Sequence, residues 1–143
     1  MIKSSMLNSS IHRVLATLGH TDQIVIADAG LPIPQSTERI DLALIAGVPS
    51  FIDTLKAILP IMQVEKVILA AEIRAENSVL HEELLQLITY YSELDSNRKP
   101  IEMIYVPHEA FKAQTRLDSC KAVIRTGECS PYANIILESG VVF

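Results

Sequence analysis

The chain has 143 residues, 49% of them apolar and 20% charged, and a net charge of -5. That size and balance fit one domain, residues 1–143, with room for a real core. The acidic balance, the absence of any Lys/Arg cluster and the lack of Trp argue against a nucleic-acid partner.

No apolar run approaches the length of a membrane span, so no membrane partner is expected. The start, Met1 to Met6, has no apolar signal core after Lys3. Two cysteines, Cys120 and Cys129, do not make a disulfide framework. Reduced thiols and a cytoplasmic setting are the expectation.

Asn8-Ser9-Ser10 reads as a helix start, because short polar side chains cap orphan amides there. Ile11, Val14, Leu15 and Leu18 follow at helical spacing, and Gly19 sits where a helix stops. Ile24-Val25-Ile26-Ala27 is a short continuous apolar run, the pattern of a strand buried on both faces. It leads into Asp28 and a loop, Ala29 to Pro34, rich in Gly and Pro.

Arg39 to Leu44 alternates polar and apolar, which predicts a strand covered on one face. Ser50 caps a helix carrying Phe51, Leu55, Ile58 and Leu59. Val64 to Ala71 is the next strand and ends at Glu72. Asn77 or Ser78 opens the longest helix, with Leu80, Leu84, Leu85, Leu87, Ile88 and Tyr91 on its apolar side. Asp95 to Pro100 reads as a polar turn, and Ile101 to Val106 as a strand closed by Pro107-His108. A short helix around Phe111 follows. Residues 122–125 and 134–137 are late strands, separated by the turn formers of Thr126 to Tyr132. The order predicts an α/β three-layer sandwich, with a mixed, mostly parallel sheet and helices on both faces.

Three buried strands end in Asp28, Glu72 and Pro107-His108, and open α/β sheets place their sites at such an edge. His20, before the first strand, is able to move a proton near neutral pH, or simply to cap the end of the first helix. Asp28 is able to bind hydroxyls, a metal or a histidine, or to cap the loop after it. His108, taken alone, reads better as an exposed residue in a first helical turn, and Glu72, beside Arg74 and Glu76, as part of a solvated charged segment. His81-Glu82-Glu83 lacks the second histidine of a zinc-protease helix. Cys120 and Cys129 have no partners at zinc spacing. No Gly-rich phosphate loop and no nucleophile elbow is present. Composition and periodicity end there, with a possible proton-transfer site and no sign of a cofactor or metal.

Five blocks in order carry a resemblance: Leu18-Gly19-His20-Thr21-Asp22, Asp28 to Pro34, Arg39 to Leu44, Gly47-Val48-Pro49-Ser50-Phe51, and Ile124 to Leu137. Together they resemble the ribose pyranase and fucose mutarotase family over nearly the whole chain. The Leu31-Pro32-Ile33-Pro34 segment and Thr21 bring it nearer the D-ribose pyranase branch than the fucose branch. The resemblance implies interconversion of the pyranose and furanose rings of D-ribose, without cofactor or metal. It implies that His20 is the proton donor, and that Asp28, His108, Tyr132, the Ala133 backbone and Asn134 bind the sugar. It also implies a ring-shaped homo-oligomer, a decamer, with sites between subunits, so that Tyr132 and Asn134 complete a neighbour's site. Asp28 is expected to orient His20 or the sugar. Two other readings share these residues: a ribose-binding accessory protein without catalysis, and a mutarotase for another sugar such as fucose.

Overall fold

The structure, a computed structural model, describes residues 1–94 and 98–143. In chain order it runs α1 (Ser9–Thr17), β1 (Gln23–Ala27), β2 (Arg39–Asp41), α2 (Phe51–Ile58), β3 (Val64–Ala70), α3 (Ile73–Glu76), α4 (Ser78–Glu93), β4 (Glu102–Val106), α5 (His108–Gln114), β5 (Cys120–Arg125) and β6 (Ile135–Ser139). The six strands form one sheet in the order β2-β5-β1-β6-β3-β4. β2, β5 and β1 pair in parallel, as do β3 and β4, while β6 lies antiparallel between β1 and β3.

β1 is the centre because all five of its residues are buried, leaving no face for water. Ile24 and Ile26 join Leu69, Ile135 and Leu137 on one face, under Val14 of α1, Leu55 of α2 and Leu84 of α4. Val25 joins Ile68, Val123 and Ile136 on the other face. There the cover is Phe111 of α5 together with Leu31 and Ile33 of the Pro-rich loop. The expected three layers are present, with the Ala29–Pro34 loop doing part of a helix's work on the second face. Each fully buried aliphatic or aromatic side chain adds about 1.5–3 kcal/mol.

The predicted caps form. Asn8 Oδ1 accepts the Ile11 N–H at 3.0 Å, and Ser50 Oγ accepts the Asp53 N–H at 3.0 Å. Three expectations are corrected. The strand expected over Arg39–Leu44 stops at Asp41, because the Asp41 carboxylate accepts the Ala43 N–H and turns the chain. A one-turn helix, α3, stands where the charged segment was expected, anchored by the fully buried Ile73. The late strands are longer than predicted, since β5 begins at Cys120 and β6 runs on to Ser139. Of the turn expected over Asp95–Pro100, residues 95–97 lie outside the described residues.

This topology gives the sheet two different ends. β1, β3 and β4 finish at one edge, where β6 starts. β1 starts at the opposite edge, where β6 finishes and the Thr21 N–H donates to Ser139 O at 2.9 Å.

Candidate active site

Where the parallel strands finish, an open cavity of about 300 Å³ is lined by Asp28, Gly30, Leu31, Pro32, His108, Pro131, Tyr132 and Asn134. Asn134, just before β6, is 1% exposed and grips Asp28 from both sides. Its Oδ1 accepts the Asp28 N–H at 2.9 Å, and its Nδ2 donates to Asp28 Oδ2 at 2.8 Å. The other carboxylate oxygen, Oδ1, accepts the Gly30 N–H at 2.9 Å. Asp28 is therefore fixed before any ligand arrives, with lone pairs left to accept hydroxyl protons.

The Thr126–Tyr132 loop is held by its own polar atoms. Thr126 Oγ1, fully buried, donates to Ala27 O at 2.8 Å and accepts the Glu128 N–H. The Glu128 carboxylate accepts the Phe51 N–H at the start of α2 and the Ser130 N–H, each at 3.2 Å. An anion at a helix N-terminus is stabilised by the orphan amides and the helix dipole. Asn77 Nδ2 donates to Ser130 Oγ and Pro131 O, both at 2.9 Å. Gly127 has no room for a side chain, because a Cβ would run into the carbonyl oxygens of Val48 and Ile45. The loop delivers Tyr132 in a left-handed conformation, φ 56°, which is uncommon for a residue with a side chain. The fully buried Ala133 follows it.

Tyr132 meets His108 edge to face, with ring centroids 5.0 Å apart. Phe111 stacks on the His108 ring at 6.5 Å. The His108 N–H, first of α5, donates to Glu72 Oε1 at 3.0 Å. That bond, above all, holds the Glu72 carboxyl below its ordinary range. Glu72 is thus turned into the protein, not out into solvent as the charged surroundings suggested. Its position at the end of a buried strand was the signal, and the neighbouring Arg74 and Glu76 masked it.

Asp28, His108, Tyr132 and Asn134 line one cavity, and Ala133 is buried between the last two. His20 is not with them. It sits in a tight Gly19–Asp22 turn, in which the Gly19 N–H donates to Asp22 Oδ2 and Thr21 takes φ 67°. The His20 side chain is 54% exposed, and its Nε2 lies 3.0 Å from both oxygens of the Glu65 carboxylate. All of β1 separates it from Asp28, about 16 Å of strand rise. Within one chain Asp28 therefore does not orient His20, which corrects that half of the expectation. Neither does His20 cap α1, which ends at Leu18.

The model of the RbsD / FucU transport protein family matches residues 1–142. The chain belongs to this family. It is 57% identical over 143 residues to a D-ribose pyranase of Proteus mirabilis, with all of both chains covered. The solved structure of Bacillus subtilis RbsD complexed with D-ribose is 48% identical, with a TM-score of 0.86 and all of both chains covered. The fucose mutarotase of Streptococcus pneumoniae, solved in complex with L-fucose, is more distant: 25% identical, TM-score 0.76, covering 95% of this chain and 94% of that one.

A larger groove, about 550 Å³ between Leu59, Gln63, Tyr91 and Val142, is lined by no carboxylate and no imidazole among the described residues. Burial pushes the Cys120 thiol up to about 11, so it is packing and not a nucleophile. Among the described residues no three His, Cys, Asp or Glu side chains gather as a metal-ligand set. Among those residues no helix is long and apolar enough to cross a membrane either.

Proposed function

We propose that this chain is a D-ribose pyranase, an isomerase that interconverts the pyranose and furanose rings of the sugar without a cofactor. The observation that carries the reading is the clamped pocket of Asp28, His108, Tyr132 and Asn134, in a chain 57% identical from end to end to a D-ribose pyranase. The pocket is sized for a small polar ligand. Its fixed acceptors suit a pattern of hydroxyls, and a site built on such bonds rejects sugars that leave them unpaired.

Opening a cyclic hemiacetal needs one proton delivered to the ring oxygen and one removed from the anomeric hydroxyl. The open aldehyde then recloses through a different hydroxyl. We assign the delivery to His20, with the sugar held by Asp28, His108, Tyr132, Asn134 and the Ala133 backbone. Since β1 separates His20 from the pocket in one chain, the His20 that serves each pocket comes from a second copy. A ring-shaped homo-oligomer, a decamer, would set those surfaces against each other. The exposed apolar loop of Leu44, Ile45 and Val48 is consistent with such burial between copies. The work belongs to cytoplasmic ribose catabolism.

The test is saturation transfer between the pyranose and furanose anomeric NMR signals of D-ribose at equilibrium. Wild-type protein should transfer saturation between ring forms. His20→Ala should slow that transfer by about 10²- to 10⁴-fold while leaving sugar binding and folding in place. Broadened lines without transfer would make the protein a ribose binder, and transfer on L-fucose alone would make it a mutarotase of the other branch.

A further inference from the structure

The turn that carries His20 and the start of β3 are tied to the same two residues at the end of β6. The Ser139 carbonyl accepts the Thr21 N–H at 2.9 Å, and the Ser139 N–H donates to Asp22 O at 2.8 Å. Gly140, next in the chain, donates its N–H to Gln63 O at 2.9 Å. The register of β3 against β6 shifts between Val64 and Lys66, and Glu65 stands at that irregularity. Shifts of this kind re-aim a side chain out of the regular alternation. Here the Glu65 carboxylate is aimed at His20, with both oxygens 3.0 Å from Nε2. Gly140 leaves it the space. A Cβ at that position would lie 3.1 Å from Glu65 Cβ and 3.2 Å from Glu65 Oε2.

We infer that Glu65 is a positioning residue for His20: it holds the ring through Nε2, so that Nδ1 is the nitrogen which meets the sugar. The inference rests on the isomerase reading above. Both bonds of the His20 ring run through Nε2, and among the described residues Nδ1 has no partner. A carboxylate only accepts, so the nitrogen it holds is the one that carries a proton in the neutral ring. That fixes the tautomer as well as the direction of the imidazole. Stability does not account for the pair, because both side chains are partly exposed and exposed pairs contribute little. Glu65 is also not shared. Among the described residues it bonds no side chain but His20. The other carboxylates near the turn have cations of their own: Asp22 faces Lys121 at 3.4 Å, and Glu138 faces Lys66 at 2.7 Å.

The proton account closes around a carboxylate that never changes its charge. On opening, a proton passes from Nδ1 of the imidazolium to the ring oxygen. That oxygen leaves the anomeric carbon with the bonding pair. Water takes the proton of the anomeric hydroxyl, whose oxygen becomes the aldehyde carbonyl. His20 is then neutral, with its remaining proton on Nε2 against Glu65. On reclosure a different hydroxyl adds to the carbonyl carbon and gives its proton to Nδ1, and water returns a proton to the carbonyl oxygen. His20 and Glu65 both end as they began.

Glu65→Ala should lower the exchange rate at saturating ribose by about a hundred-fold, the cost of a misplaced reacting group. KM should change by less than about threefold, and the melting temperature should stay where it is. Glu65→Gln keeps an oxygen to accept the Nε2 proton and should bring the rate back to within about tenfold of wild type. An alanine variant as fast as wild type would overturn the inference, and so would a glutamine variant as slow as the alanine one. The ¹⁵N shifts of His20 in wild-type protein test it without a variant that has to fold. At about pH 9, where an ordinary imidazole is neutral, a proton on Nε2 supports the inference and a proton on Nδ1 overturns it. Absence of any ring exchange by wild-type protein would instead sink the isomerase reading, and the tautomer would still decide whether Glu65 holds the ring.

Discussion

The two edges of the sheet are built on different terms. Where β1, β3 and β4 finish, the polar groups were tied down as the chain folded. Asn134 holds Asp28, Thr126 and Glu128 hold the loop, and Glu72 holds the first amide of α5. Where β1 begins, the polar layer behind the edge is fixed: Glu138, 6% exposed, accepts from Lys66 at 2.7 Å and from Gln23 at 2.6 Å. His20 stands in front of that layer, half-exposed on a strained turn. One edge is finished within the chain, and the other presents a half-exposed imidazole. The contrast predicts that a change at the first edge costs both folding and turnover. A change of His20 is expected to cost turnover alone.

The sharpest way to break that contrast is Asn134→Ala. It strips Asp28 of two bonds, so ring exchange should fall at least about a hundred-fold. Stability should fall by about 1–3 kcal/mol, read as a lower melting temperature. Loss of rate with unchanged melting would place Asn134 on the same footing as His20. Gly127→Ala comes next. Its new methyl group has to displace the Val48 and Ile45 carbonyls, and overpacking of that kind costs about 1–3 kcal/mol. Urea unfolding should show the loss, and exchange should weaken only as far as the Tyr132 loop moves.

The smallest effect belongs to the layer behind His20. Burial alone would raise the Glu138 carboxyl, but the bonds from Lys66 and Gln23 outweigh it and hold it below its ordinary 4.5. A carboxyl lowered by folding contributes stability above about pH 4.5, and loses it as pH falls through its folded value. Lys66 is its mirror. Raised above 10.5 chiefly by its bond to Glu138, it contributes below that pH and loses the contribution as pH climbs through its folded value. Glu138→Gln should therefore cost about 1 kcal/mol at neutral pH and flatten the acid side of the melting-temperature curve. An acid limb as steep as wild type would move the sensitivity to other carboxyls.

The sequence made the first edge legible wherever the signal was local. Ile24–Ala27 reads as a doubly buried strand, and Asp28 after it as a carboxylate that either binds a ligand or caps the loop. Asn8 and Ser50 read as caps. What stayed hidden depends on neighbours distant in the chain. The Asn134–Asp28 clamp joins positions 106 apart, and Asn134 came from family resemblance and not from any pattern. Glu72 acquires its role only because β3 and β4 lie side by side, which charge counting around Arg74 does not reveal. The insertion of β6 between β1 and β3 leaves no trace in periodicity, since a strand buried on both faces reads the same in either direction. Closeness in sequence also misled. His20 and Asp28 are eight positions apart, yet a strand in full extension keeps them at opposite ends.

The most direct test of the central claim, that each site takes its proton donor from one copy and its pocket from another, is a mixing experiment. His20→Ala and Asn134→Ala proteins, each inactive alone, are unfolded together at equal amounts, refolded and assayed for ribose ring exchange. Random assembly should give about a quarter of the sites an intact His20 and an intact pocket, and so about a quarter of wild-type activity. Mixed oligomers that form and stay inactive would contradict it, and would require His20 and the pocket to meet within a single chain.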